Sequence, residues 1–123
     1  MKGGELVIHK ATMAIDCGPQ INPDRIRSQM EGSCIMGIGL ATTGEISFDK
    51  GAPKQSNFHD YEVPRILQVP KEIAVLLVDP GKEVDLGGVG EQGVPPIAPA
   101  LCNAIHAATG KRIRSLPIGD QLA

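Results

Sequence analysis

Aromatic side chains are almost missing from this 123-residue chain, which carries Phe48, Phe58 and Tyr61 and no tryptophan. Its core must therefore be built from Ile, Leu, Val, Met and Ala. Positive charge is also short: 12 Lys and Arg against 14 Asp and Glu leave a net charge of −2. That balance argues against a nucleic-acid module, which needs a basic face; the one modest cluster is Lys111, Arg112 and Arg114. Cysteine pairs are lacking too. Cys17, Cys34 and Cys102 are odd in number and far apart, which excludes a zinc-ribbon or iron–sulfur ligand set within this chain and suits buried free thiols in a reducing compartment. His9, His59 and His106 have no ligand-like spacing, so no protein-bound zinc or other metal is expected. No apolar run approaches the roughly 20 residues of a transmembrane helix, and MKGGELVIHK has neither the apolar stretch nor the cleavage site of a signal peptide.

What is present suits one domain spanning residues 1–123, long enough to bury roughly two-thirds of its unfolded surface. Gly and Pro, 15 and 10, recur between periodic segments instead of pooling in a tail, as tight connections require. Glu5 to Asp16 reads as a strand apolar on both faces, hence an interior one. Asn22-Pro23-Asp24 supplies a cap, a first-turn proline and an acid at the positive helix end. Ile26, Met30, Cys34 and Ile38 then draw one apolar stripe. Gly32, Gly37 and Gly39 weaken that helix, by about 1 kcal/mol each relative to Ala, and imply close approach by another backbone or a ligand, or tight helix–sheet packing alone.

A short strand is expected over Thr43 to Asp49, and a long irregular excursion over residues 50 to 70. Such excursions are usually functional or touch a partner. Glu72 to Asp79 reads as a strand buried on both faces. A second helix starts near Pro96 to Pro99 and ends at Gly110, with Ile97, Leu101, Ile105 and Ala108 on its buried face; Arg112 to Ile118 reads as a short edge strand. The mixture implies an α+β layer fold, a small mixed sheet with two main helices.

Chemistry concentrates at Gly87-Gly88-Val89-Gly90-Glu91. The glycines resemble neither a Walker loop, since no Lys-Ser/Thr pair follows, nor a GxGxxG fingerprint, and a plain turn also explains them. Glu91 is flanked by Gly90 and stands close to Gly93, so little shields it; placed before a helix start, an ionised carboxylate there would suit a general base. A solvated loop glutamate is the competing reading. Gln29, one position before Met30 of the buried stripe, offers a ligand both a donor and an acceptor, or is simply a surface residue. His59-Asp60 is either an oriented imidazole or a loop hydrogen bond.

Three strings, AIDCGPQINPDRIRSQMEGSCIMGIGLA, QSNFHDYEVPRI and GGVGEQGVPPIAPALCNAIHAATGKRIRSLPI, together resemble the molybdenum hydroxylase (xanthine dehydrogenase and aldehyde oxidase) family. The closest likeness is to the molybdopterin-binding subunit of the isoquinoline 1-oxidoreductase and aldehyde dehydrogenase type. The resemblance covers nearly the whole chain, in the family's order, and departs from it at Gln92, where the family typically has proline. It implies the C-terminal part of a molybdopterin-binding domain, with Glu91 as the base that takes a proton from a molybdenum-bound hydroxyl while a substrate carbon is hydroxylated with water. It further implies that Gln29, Gly87, Gly88 and Gly90 lie along the cofactor. That cofactor would be molybdopterin, in its cytosine dinucleotide form, with molybdenum, shared with segments outside this chain; no iron–sulfur cluster or FAD is expected within it.

The partners implied are a larger molybdopterin-binding segment or subunit, an iron–sulfur subunit and a small-molecule substrate, an aldehyde or N-heterocycle. Family members are several times longer, which leaves a split subunit, a truncated product and an excised fragment all open. Two other readings stand beside this one. The chain could be a non-catalytic α+β module that binds a ligand or protein through residues 50 to 70, or a nucleotide-binding domain using the glycine loop.

Overall fold

The structure, a computed structural model, describes residues 6–79, 81 and 84–122. Six elements follow in order: β1 (Lys10–Ile15), α1 (Pro23–Thr42), β2 (Phe48–Asp49), β3 (Ala52–Pro53), β4 (Glu72–Leu77) and α2 (Ile97–Thr109). β1 and β4 form a parallel pair with Met13 opposite Val75, so the chain crosses over through α1; β2 and β3 form a separate antiparallel hairpin. The fold is α+β as expected, with two small sheets in place of one mixed sheet. Glu5, the expected start of the first strand, lies outside the described residues.

Local chemistry explains α1 well. Asn22 is extended, and its side-chain oxygen accepts the Arg25 N–H at 3.1 Å; Pro23 opens the helix, where no N–H partner is needed. Its stripe Ile26, Met30, Cys34 and Ile38 is buried with Met13, Ile15 and Cys17 into one aliphatic cluster. Burial pushes the Cys34 thiol pKa up, which keeps it an inert core group; Cys17, Cys34 and Cys102 are all free. The β2–β3 turn is Lys50-Gly51, both at positive φ (48° and 85°), the twist a two-residue hairpin favours. The expected strand over Thr43 to Asp49 shrinks to its last two residues because only these meet a pairing partner.

The second helix matches expectation in its bounds and ends on Gly110 at φ 74°. Leu101 and Ile105 are buried with Ala41, Ile113 and Ile118 in a second cluster between α1 and the C-terminal segment. Ala108, expected on the same face, is exposed, since that segment reaches only the middle of the helix face. Residues 112–118 do not form the expected edge strand. The chain there spends its donors on a helix end instead: Ile118 and Gly119 N–H groups donate to the Ala41 and Thr42 carbonyls at 2.7 and 3.0 Å, two of the last-turn acceptors a helix cannot satisfy itself.

Neither strand is interior. Met13 and Ile15 are buried against α1, but Thr12 and Ala14 on the opposite face are exposed, and no residue of β4 is fully buried. Among the described residues, the helices cover one face of this pair.

The glycines of α1 divide by what lies above them. A Cβ on Gly37 would stand 2.6 Å from the Ile97 Cβ, and one on Gly39 would stand 2.6 Å from the Pro64 Cγ, whereas one on Gly32 meets nothing within 4 Å. Gly37→Ala is therefore expected to lower stability by about 1–3 kcal/mol. Gly32→Ala should raise it by about 0.5–1 kcal/mol through helix propensity alone. Urea unfolding of both variants checks the pair; equal effects would remove the packing explanation.

Candidate functional site

Residues 29, 33 and 37 follow one another at four-residue spacing, so they form one ridge of α1. The ridge is small at two of its three positions, and the start of the α2 segment lies on it. A Cβ on Gly93 would stand 2.6 Å from the Ser33 Cβ and 2.9 Å from its Oγ, while Gly37 faces Ile97 and the Val94 carbonyl. The segment from Gly93 to Ile97 thus runs along α1 from the level of Ser33 to that of Gly37. Gln29 is exposed and makes no side-chain hydrogen bond among the described residues.

The glycine loop is fastened at its other end as well. The Gly87 N–H donates to the Cys17 carbonyl at 2.9 Å, and a Cβ on Gly87 would stand 3.0 Å from that oxygen. Gly18, at φ 70°, lies so close to Asp85 that a Cβ would run into the Asp85 carbonyl. Gly87 is thus a packing glycine within the chain's own fold. Gly88 and Gly90 are different: one faces only the flexible Gln92 amide at 3.4 Å, and the other faces open space. Of the three loop glycines expected along a cofactor, these two leave bare, approachable backbone. Gly93, whose packing role sequence reasoning missed, is the fastening point; nothing in the sequence distinguished it from its neighbours.

Glu91 stands between those fastenings on an exposed turn closed by the Val94 N–H donating to the Glu91 carbonyl at 3.1 Å. The Gln92 side-chain oxygen accepts the Glu91 N–H at 3.2 Å. Since α2 begins only at Ile97, Glu91 does not sit at the helix end as expected, and the helix dipole, which fades within a turn, does not reach it. Its carboxylate has no hydrogen-bond partner among the described residues. A planar heterocycle with many polar edges needs unobstructed backbone and free amide groups. Gly88, Gly90 and the Gln29 amide leave such groups open, while the Gly87 N–H is spent on the Cys17 carbonyl.

The other candidates resolve into structure. Asp60 accepts the backbone N–H groups of Asn57 and Ser56 at 2.8 and 2.9 Å, and these bonds lower its pKa to about 2. His59 Nε2 lies 3.5 Å from the same carboxylate on an exposed side chain, so Asp60 serves the turn first and the imidazole second. Arg112 donates to Asn103 Oδ1 and His106 Nδ1, each at 2.9 Å, which fastens the C-terminal segment to α2. No group of three His, Cys, Asp or Glu side chains placed to hold a metal occurs among the described residues.

The chain belongs to the molybdopterin cofactor-binding domain family, whose model matches residues 1–70, more than half of its length. Among curated proteins it is similar to isoquinoline 1-oxidoreductase subunit beta of Brevundimonas diminuta, 39% identical over 118 residues that make up 96% of this chain and 15% of that protein. It is also similar to the aldehyde oxidoreductase molybdenum-binding subunit PaoC of Escherichia coli K12, 35% identical over 121 residues, 94% of this chain and 16% of that one. Among solved structures, quinoline 2-oxidoreductase from Pseudomonas putida 86 superimposes with a TM-score of 0.67 at 27% identity, over 89% of this chain and 15% of that one. The Cu,Mo-CO dehydrogenase, with a TM-score of 0.71 at 24% identity, shares the fold. This chain therefore spans roughly a sixth of such relatives.

Two outcomes follow from this geometry. Gly93→Ala should lower stability by about 1–3 kcal/mol, and Gly90→Ala should leave it within about 0.5 kcal/mol, by thermal or urea unfolding. Asp60, held below the ordinary carboxylate range, contributes stability that is present above that range and is lost as pH falls toward about 2. The Ser56 and Asn57 amide shifts should titrate with a midpoint near 2, and an ordinary carboxylate midpoint would dissolve the assigned bonds.

Proposed function

We propose that this chain is the C-terminal part of a molybdopterin-binding domain, residues 1–123 forming one unit, in an oxidoreductase that hydroxylates an aldehyde or N-heterocycle carbon with oxygen from water. The observation that supports the reading is Glu91 on an exposed, low-profile turn fastened at Gly87 and Gly93, the latter packed on Ser33, one helical turn after Gln29 in α1. The names of the relatives, an isoquinoline oxidoreductase subunit and an aldehyde oxidoreductase subunit, support this chemistry and substrate range.

When bound, the molybdenum cofactor, in its cytosine dinucleotide form, supplies the electron sink and the activated oxygen. The chain's own part is threefold. Gln29 hydrogen-bonds the polar edge of the pterin through its unengaged amide. Gly88 and Gly90 let the backbone approach without side-chain collision. Glu91, as a carboxylate, accepts a proton at Oε and returns it to solvent after turnover, its fastened turn fixing the backbone from which the side chain reaches.

One glutamate and one loop make only one wall of such a site, so the remaining walls come from a larger molybdopterin-binding segment, and electrons leave through an iron–sulfur subunit. A second reading, partner binding by residues 50–70, is favoured by Phe58, Ile66 and Leu67, which are 75%, 84% and 94% exposed. The two readings are compatible within one assembly.

Glu91→Gln in the assembled enzyme should reduce kcat by at least about 100-fold, the usual contribution of a positioned general base, with molybdenum content per complex unchanged. Retained turnover would remove Glu91 from the mechanism; loss of molybdenum would make its role structural.

A further inference from the structure

We infer that the outer edge of β1 is an acceptor for an additional β-strand, supplied by an extended apolar segment of the larger molybdopterin-binding polypeptide. This inference rests on the assembly proposed above and names the surface through which it forms.

The argument begins with where the backbone groups of β1 point. The Val78 N–H donates to the Ile15 carbonyl at 2.9 Å, and β1 pairs in parallel with β4. In a parallel strand each residue directs both its N–H and its C=O to the same side, and successive residues alternate. Residues 11, 13 and 15 therefore face β4, and the N–H and C=O groups of Thr12 and Ala14 face the opposite edge. They have no backbone partner among the described residues.

That edge lacks the devices that guard free edges. Natural edge strands carry charge, proline or a bulge to prevent strand addition. Beyond Lys10, which is engaged with Glu72, β1 reads Ala11-Thr12-Met13-Ala14-Ile15 with no charge, proline or bulge.

The space beside the edge has the shape a strand needs. Two clefts of about 180 and 210 Å³ adjoin it and share Thr12, Ile97 and Ala100 as lining. Among the described residues the sheet ends at β1, and α2 lines the cleft beside it with Ile97, Ala100 and Ala104. A groove between a strand edge and a helix is the geometry in which extended segments are added to sheets. The outer sheet face points the same way, with Ala14 exposed and Leu76 57% exposed. The strands thus have the two-faced apolar pattern of an interior sheet while standing at its edge.

The occupant follows from chemistry and length. Unpaired alternating donors and acceptors call for an extended backbone, and the apolar lining of the groove calls for Val, Ile or Leu side chains on the segment. Relatives carry this region as 15% and 16% of their length, so the bulk of such a polypeptide is available to provide it.

Backbone hydrogen exchange, resolved by residue, tests this on the full chain alone and on the assembly purified from source cells through a tag on this chain. Thr12 and Ala14 amides should exchange at least about 100-fold more slowly in the assembly than in the chain alone, while Met13 and Ile15 amides are slow in both. Thr12→Pro removes only the outward N–H, a place where an edge strand tolerates proline; it should keep the far-UV spectrum of the chain and fail to join the assembly. If that variant does not fold, Ala100→Arg, on the exposed groove wall, gives the same reading.

Fast Thr12 and Ala14 exchange in the assembly overturns the inference, as does normal assembly by a folded variant or a chain that is recovered alone. Protection that grows with concentration of the chain alone replaces the stated occupant with a second copy. The function and the docking edge separate cleanly. An active, molybdenum-loaded assembly with fast amides keeps the function and removes the edge; protected amides in an assembly without molybdenum keep the edge and remove the function.

Discussion

The close passage of two backbones over the small ridge of α1 governs the rest of this molecule. Ser33 and Gly37 leave room, Gly93 fills it without a side chain, and Ile97 closes it. Because that crossing is tight, the loop before α2 has little freedom at its downstream end. The hydrogen bond between Gly87 and Cys17 removes freedom at the upstream end. What remains between them, Gly88 to Gln92, is a short span held at both ends, and the backbone of its one acid, Glu91, is placed by packing in which the side chain takes no part.

The hydrophobic organisation is lopsided in a consistent way. Two aliphatic clusters share α1, one beneath the sheet and one against α2 and the C-terminal segment. On the far side of the sheet Thr12, Ala14 and Leu76 are exposed, as are Phe58, Ile66 and Leu67 in the long excursion. A chain of this size can bury a full core, so large apolar side chains left outside mark surfaces shaped for contact. The relation to proteins in which this region is roughly a sixth of the whole accords with that.

Elements that depend on local signals were legible in advance. The Asn22 cap, the Ile26–Met30–Cys34–Ile38 stripe and the Gly110 stop each act within one turn of the chain, and each appears where its residues place it. Elements that depend on a neighbour were not. Whether residues 112–118 pair as a strand was settled by the unsatisfied carbonyls at the end of α1, which took the donors of Ile118 and Gly119. Ala108 has the spacing of a buried residue but lies past the segment that covers Leu101 and Ile105. In the glycine loop, composition alone made Gly87, Gly88 and Gly90 equivalent; only the approach of Cys17 divides them.

The sequence by itself determined the helices, their faces, the α+β class and the likeness to molybdopterin-binding subunits, because periodicity, capping and motif order are written in neighbouring residues. Tertiary structure alone decided which glycines are spacers and which are bare surface, that among the described residues β1 is an edge with its Thr12 and Ala14 groups unspent, and that Glu91 lies on a turn fastened at both ends. These are contacts between segments distant along the chain, and their energies depend on shape and distance that no local pattern encodes.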